Sequence, residues 1–209
     1  MNVTIIGTGN MARAIGRRLL AGGHEVTVLG KERDAAEEVV RDLGGEGSAE
    51  AGRSGDPIAD EVVVLAVYYP DATAAVEQYG DGLSGKVVVD ITNPVNESYD
   101  DLVTPPDSSA AEQLAARAGG ASVVKAFNTT FANTVNAGEV AGQPLDVFLA
   151  ADDEDAKGKV ASLVEDGGMR PIDAGPLRRA RELEAAGLLH MSVQGTLGTG
   201  FASALKVVA

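Results

Sequence analysis

Cysteine is absent from the 209 residues, which excludes disulfides, thiolate metal sites and cysteine nucleophiles. No apolar run is long enough to cross a bilayer. No basic segment with a separate apolar stretch precedes the first strand, so no signal peptide is read, and a cytoplasmic protein without a membrane partner is expected. Basic residues are scarce: 17 Lys and Arg stand against 31 Asp and Glu, a net charge of −14. That balance argues against nucleic acid as a partner. The acidity fits a saline cytoplasm, where surface carboxylates keep a protein soluble, and equally an acidic coding bias; neither bears on chemistry. Hydrophobic residues make up 44% of the chain, enough core material for one full α/β domain.

Short β-rich runs alternate with helical stretches, the pattern of a doubly wound, mainly parallel sheet. The expected strands are Val3 to Ile6, Glu25 to Leu29, Val62 to Val67, Lys86 to Ile91, Ser122 to Phe127, Asp146 to Ala150 and Met169 to Asp173. The third is apolar without alternation, as in a central strand covered on both faces, and Tyr68-Tyr69-Pro70 stops it. Helices are expected from about Asn10 to Ala21, closed by Gly22-Gly23, and from about Asp34 to Leu43. A third runs from a Ser108 cap to about Ala118. Another follows Asp152, Asp153, Glu154 and Asp155, carboxylates that suit a helix N-terminus better than a calcium or magnesium site. Residues 44–56, rich in glycine and serine, read as a polar loop, and residues 98–107, with Pro105-Pro106, as an excursion.

The stretch that carries chemistry is "VTIIGTGNMARAIG", residues 3 to 16, a β-branched run followed by G-x-G-x-x-A and a helix. Gly7 permits a sharp turn, Gly9 lets a pyrophosphate approach with no Cβ in the way, and Ala12 lets the helix pack close to the strand. Exposed amides at the helix start suit phosphates. Alone the spacing is a weak signal; inside a β-α-β unit it points to a dinucleotide. At the end of the second strand, where an acid would hydrogen-bond a ribose 2′-hydroxyl, stands Gly30. Lys31 and Arg33 beside it can reach an anion, with Glu32 turned outward. This favours NADP over NAD, although the same residues also suit the solvated start of a helix.

Ligands of open α/β sheets lie across the carboxyl ends of the strands. Those ends carry Tyr68-Tyr69-Pro70, Thr92-Asn93-Pro94 and Asn128-Thr129-Thr130, all neutral. No His/Asp, Ser/His or paired-carboxylate set stands out. His24 is expected at the surface, His190 as a partly buried helix residue, and Lys125 as structural. A dehydrogenase of alcohols needs a group to handle the hydroxyl proton. Hydride passing directly between two cofactor rings needs only positioning and stacking. No catalytic side chain and no metal is therefore expected.

"IIGTGNMARAIGRRL", "VVVDITNPVN", "VVKAFNTT" and "RPIDAGPLRRARELE", in this order, with the closing "LGTGFASALKV", resemble the NADP oxidoreductases dependent on the deazaflavin coenzyme F420. They are also similar to the NADPH-binding oxidoreductase domain of the STEAP metalloreductases. The resemblance implies a Rossmann-type domain over residues 1–176, with a C-terminal helical segment and tail, residues 177–209, packed on it. It implies NADP(H) and coenzyme F420, or FMN or FAD, as small-molecule cofactors, and a homodimer formed with the C-terminal helices. Thr8, Asn10 and Met11 would hold the pyrophosphate beside Gly7, Gly9 and Ala12, and Gly30, Lys31 and Arg33 the 2′-phosphate. Val67, Tyr68, Asn93, Pro94, Asn128, Thr129 and Ala132 would flank the nicotinamide. The chain departs from the archaeal deazaflavin enzymes at Asn128, in place of a histidine, and at Tyr68-Tyr69, in place of proline-tryptophan. "VVKAFN" and "ITNP" sit closer to the metalloreductase pattern, which uses FAD. A flavin or ferric reductase and a non-catalytic NADP(H)-binding regulator are the alternatives.

Overall fold

The computed structural model describes residues 1–44 and 48–208. Its strands are β1 (Asn2–Ile6), β2 (Glu25–Gly30), β3 (Ala49–Arg53), β4 (Val62–Leu65), β5 (Val87–Asp90), β6 (Ser122–Lys125), β7 (Glu139–Val140), β8 (Gln143–Pro144), β9 (Asp146–Ala150) and β10 (Arg170–Gly175). The helices are α1 (Asn10–Ala21), α2 (Arg33–Leu43), α3 (Tyr69–Tyr79), α4 (Ala110–Ala115), α5 (Ala132–Ala137), α6 (Glu154–Asp166), α7 (Ala180–Ser192) and α8 (Gln194–Leu197). Eight strands form one sheet in the order β3-β2-β1-β4-β5-β6-β9-β10, and β7 and β8 make a separate small hairpin. The first six in that order are parallel. β9 joins β6 antiparallel through Lys125 and Ala150, and β10 runs parallel to β9. This is a Rossmann-type α/β sheet whose strand order reverses between β1 and β4, opening a crevice at their carboxyl ends.

The unbroken apolarity of the central strands has a two-sided cause. Val62, Val64, Val87 and Val89 pack with Ile15 of α1, Val135 of α5 and Val160 of α6. Their neighbours Val63, Leu65 and Val88 pack with Val76 of α3 and Leu114 of α4. Alternate residues of one strand thus feed opposite layers, and neither face is left for water. No described helix is long and apolar enough to cross a membrane.

All seven expected strands are present, with ends moved by a few residues. Where a polar loop was expected over residues 44–56, β3 instead lies along β2, from Val26 opposite Ala49 to Gly30 opposite Arg53; residues 45–47 of that stretch lie outside the described residues. Tyr69-Pro70, expected only to stop a strand, opens α3, because proline in a first turn lacks only an N–H that has no partner there. Ser109, not Ser108, caps α4, its Oγ accepting from the Glu112 N–H at 3.1 Å, and the helix ends at Ala115 rather than Ala118. The sequence also gave no expectation of α5 or the β7–β8 hairpin. His24, expected at the surface, is buried between the Met1 amino group at 3.0 Å and Asp166 at 3.3 Å. Gly22 permits this, since a Cβ there would lie 2.9 Å from the Asp166 backbone.

The C-terminal tail is tied to the far edge of the sheet by buried Asp146, which accepts from Arg170 Nε and Nη2 at 2.8 and 2.6 Å, Lys206 Nζ at 2.8 Å and the Val207 N–H at 2.8 Å. Burial alone would raise its pKa; the bonds from Arg170, Lys206 and Val207 outweigh that and bring it down to about 2. A carboxylate depressed on folding contributes stability that is present above its unfolded value of about 4 and is lost as pH falls through the folded one. Urea melts of the wild type should therefore weaken between about pH 4 and about 2. Asp146→Asn should flatten that acid limb while lowering stability at neutral pH.

Candidate functional site

β1 runs into Gly7-Thr8-Gly9. Gly7 has φ +126°, and a Cβ on it would stand 2.2 Å from the Ala66 carbonyl oxygen, so only glycine fits. Its N–H donates to the Leu29 carbonyl at 2.9 Å, closing the turn against β2. Gly9, the N-cap of α1, is extended, and nothing lies within 4 Å of a Cβ placed there. The helix begins with no side-chain cap and no acid in its first turn. Its leading amides are free for an anion, which the positive end of the helix also favours. Ala12 is fully buried behind the turn, where its small size sets how closely α1 approaches the sheet.

Two cavities open on this turn. The larger, about 460 Å³, lies over the ends of β1, β4, β5 and β6; among its walls are Thr8, Gly9, Asn10, Met11, Val67, Tyr68, Asn93, Asn128 and Ala132. The smaller, about 300 Å³, lies at the end of β2 and is bordered by Gly7, Thr8, Lys31, Glu32 and Ser54. Thr8, Val67 and Asp71 belong to both. One groove therefore passes from β2 over the glycine turn to β6, the course of an extended dinucleotide.

At the β2 end, a Cβ on Gly30 would meet the Glu32 carbonyl oxygen at 2.7 Å and Thr8 Cγ2 at 3.0 Å, so no acid can occupy that position. Lys31 Nζ bonds Asp71 at 2.9 Å. Arg33 lies along α2 toward Glu37 at 3.3 Å and borders neither cavity. Glu32, expected to turn outward, borders the smaller cavity, its exposed carboxylate 3.9 Å from Arg53. Arg53 itself was missed in the sequence because β3 reads as a loop. Its register opposite Gly30 puts it beside Lys31, whose carbonyl accepts from Arg53 Nε at 3.3 Å.

At the β6 end, Asn93 and Asn128 interlock. Asn93 Nδ2 donates to the Asn128 carbonyl at 2.7 Å, and Asn128 Nδ2 donates to Asn93 Oδ1 at 2.9 Å and to the Leu183 carbonyl at 2.8 Å. α7 comes this close because Gly187 has no side chain; a Cβ there would lie 2.6 Å from Asn93 Oδ1. Phe127 reaches the cavity from a left-handed conformation, φ +59°, pinned by Thr130, whose N–H and Oγ1 both bond its carbonyl. Pro94 and Thr129 border neither cavity; Pro94 offers its carbonyl to the Val103 N–H at 2.7 Å, and the Thr129 carbonyl takes the Nδ1 proton of His190 at 3.1 Å. Burial lowers the pKa of His190, and the Thr129 bond raises it in part. The Phe131 ring packs on His190 and, edge-on, on Phe201 of the tail, so Phe201 and Met191 join the C-terminal segment to this wall.

Beneath Thr92-Asn93 lies a fully buried cluster. Lys125 Nζ donates to Asp90 Oδ2 at 2.8 Å, Glu184 Oε1 at 2.8 Å and the Thr92 carbonyl at 2.5 Å. Asp90 Oδ1 accepts from the Thr92 N–H at 2.8 Å, and Glu184 Oε2 from the Ala110 N–H at 3.1 Å. Burial would lower the lysine pKa, but Asp90 and Glu184 outweigh it and raise it; burial raises that of Glu184 against the pull of Lys125. Lys125 is therefore structural, as expected, and it fixes the turn that forms the cavity wall.

Two buried polar atoms of that wall, Thr92 Oγ1 and Asn128 Oδ1, have no hydrogen-bond partner among the described residues. Each costs about 1–3 kcal/mol when unsatisfied. A carboxamide, with one N–H edge and one carbonyl, is the kind of group that satisfies both, so the residues fit a nicotinamide. Among the described residues, the only formal charge on the larger cavity's wall is Asp71. No group of acids and histidines able to hold a metal occurs among the described residues. What this wall can do is orient flat rings.

Residues 2–94 match the family profile described as NADP oxidoreductase, coenzyme F420-dependent. The chain is 28% identical over 206 residues to the F420-dependent NADP reductase of Methanocaldococcus jannaschii, covering 88% of each. It is also 28% identical over 183 residues to the metalloreductase STEAP3 of Rattus norvegicus, where it covers 88% of this chain but spans only 36% of that protein. A crystal structure of a candidate F420-dependent NADP reductase from Arthrobacter sp. FB24 superposes with a TM-score of 0.87 at 29% identity, over 99% of both chains.

Proposed function

We infer that this relative of the coenzyme F420-dependent NADP oxidoreductases is an NADP(H)-dependent oxidoreductase whose groove seats the dinucleotide and whose larger cavity admits a tricyclic deazaflavin or flavin as hydride acceptor. One observation carries this reading. The two cavities join at the glycine turn, and the far wall, around Asn93, Phe127, Asn128, Phe131 and Met191, carries no histidine, lysine or carboxylate among the described residues. NADP(H) supplies a hydride at its nicotinamide ring when bound. The protein's part is placement. The amides of α1 hold the pyrophosphate, Lys31 and Arg53 answer the 2′-phosphate, and Thr92 and Asn128 orient the carboxamide. Phe131, Met191 and Tyr68 keep water from the rings.

Similarity to the methanogen reductase supports a deazaflavin acceptor. The presence of Asn128 and Tyr68-Tyr69, together with similarity to the rat metalloreductase, supports a flavin. The test is to mix purified protein and NADPH with coenzyme F420, FMN and FAD in parallel and follow loss of each visible band. Turnover of any one supports hydride transfer. Tight NADPH binding without turnover on any acceptor would overturn it in favour of a nicotinamide-sensing protein. The reading includes a second copy joined through the C-terminal helices, which the exposed Leu189 of α7 and Leu197 of α8 support.

The 2′-phosphate assignment has its own test. Lys31→Ala with Arg53→Ala should cut the NADPH-over-NADH ratio of kcat/KM by roughly 10- to 100-fold, the worth of one or two charge-assisted hydrogen bonds. Arg33→Ala should leave that ratio near wild type, because Arg33 borders neither cavity.

A further inference from the structure

We propose that the acceptor site selects uncharged tricyclic rings over phosphorylated or carboxylated ones: a riboflavin- or deazariboflavin-type core with no anionic tail. The inference rests on the hydride-transfer reading and names its substrate class. It starts from the charge of the larger cavity. No lysine, arginine or histidine lines it among the described residues, and its one charged wall residue, Asp71, is already paired with Lys31 at 2.9 Å. An anionic tail finds no counter-ion there.

The lip makes the site more hostile to anions. After Asn93-Pro94 the chain leaves the sheet and returns through a single antiparallel bridge between Val95 and Leu102. Within this loop the Asn96 side chain accepts from the Asp100 N–H at 3.1 Å, and the Asn96 N–H donates to the Asp101 carbonyl at 2.9 Å. The tight winding puts Tyr99 into the left-handed region, φ +57°, a strained place for an aromatic residue. Tyr99 is thereby brought to the cavity, half exposed, as Tyr68 is from the end of β4. The same loop carries Glu97, Asp100 and Asp101, none in an ion pair among the described residues, and residues 87–116 contain no lysine or arginine. The mouth thus offers two uncharged aromatic faces, and the loop that supplies Tyr99 also carries three carboxylates, on a protein of net charge −14. Flat neutral rings are attracted by the first feature; phosphates and carboxylates are repelled by the second.

The transfer balances without any further reactant. NADPH gives a hydride, with its electron pair, to the acceptor ring; a solvent proton completes the reduced acceptor, and NADP⁺ leaves. Only the acceptor's tail differs between the members of each pair in the test.

The experiment compares kcat/KM under saturating NADPH for deazariboflavin against coenzyme F420, and for riboflavin against FMN and FAD, at low and high sodium chloride. In parallel, flavin fluorescence quenching gives Kd for riboflavin and FMN. We expect the uncharged member of each pair to lead by roughly tenfold or more at low salt, the scale on which a cleft of one sign alters encounter. That ratio should shrink toward unity at high salt and in the Glu97→Gln, Asp100→Asn, Asp101→Asn triple variant. Equal or better use of the anionic member, or a ratio untouched by salt and by the triple variant, overturns the proposal while leaving hydride transfer standing. Riboflavin bound more tightly than FMN but never reduced upholds the selectivity and overturns the hydride-transfer reading instead.

Discussion

Gly9→Ala will leave the fold standing and remove the cofactor. A Cβ at residue 9 meets nothing within 4 Å, and the backbone there is extended, a conformation open to alanine. Loss of glycine at an N-cap costs up to about 1 kcal/mol, and reduced freedom of the unfolded chain offsets part of it. The added methyl occupies the space through which a pyrophosphate must approach the α1 amides. In the wild type, NADPH at 100 times its Kd should stabilise the protein by about 2.7 kcal/mol. In Gly9→Ala the melting temperature without nucleotide should stay close to wild type, while the NADPH-induced rise disappears and Kd increases by ~100-fold or more. Gly7→Ala is the contrast. Its Cβ would fall 2.2 Å from the Ala66 carbonyl oxygen at φ +126°, so that variant should fail to fold at all. A Gly9→Ala protein that keeps its NADPH-induced rise would show that the dinucleotide does not cross this turn.

Lys125→Met should cost about 3–5 kcal/mol, the penalty for removing one partner of a buried ionic cluster. It leaves Asp90 and Glu184 facing one another with no cation between them, and it frees the Thr92 carbonyl that shapes the cavity wall. The pH dependence follows from direction. Glu184 already has a raised pKa in the folded protein, chiefly from burial, and Lys125 is what restrains it. A carboxyl raised on folding contributes stability that is full below its unfolded pKa and is lost as pH rises through the folded one. Removing Lys125 raises it further, so the deficit of Lys125→Met in urea melts should be smaller near pH 5 than near pH 8. Adding Glu184→Gln should recover part of the loss, since glutamine keeps an acceptor for the Ala110 N–H and buries no charge. A deficit independent of pH would mean that the cluster is held by packing rather than by its charges.

Much of the fold is legible in the chain because its signals are local. The strand–glycine–helix order of residues 3 to 21, the two-sided apolarity of Val62 to Leu65, and the neutral Asn93 and Asn128 at strand ends each follow from neighbouring residues. Steric freedom at glycine and strand periodicity act over a few positions, so they can be read without knowing what packs where. Fold class, the glycine turn and the larger part of the cavity wall were visible on those grounds.

Other features were decided only by contacts between distant segments. β3 has no apolar alternation of its own; Ala49–Arg53 is a strand because β2 offers it an edge of unpaired amides and carbonyls. With that pairing came Arg53, placed next to Lys31, while Arg33, closer in sequence, is held along its own helix by Glu37. His24 is buried because α1 ends against α6, and Lys125 has its role because Asp90 and Glu184, 35 and 59 residues away, converge on it. Backbone pairing and burial of charge depend on which surfaces meet, and a linear pattern does not record that. The sequence by itself determined that this chain builds a strand–glycine–helix turn on a parallel sheet; the tertiary structure decided which charges stand at its two ends.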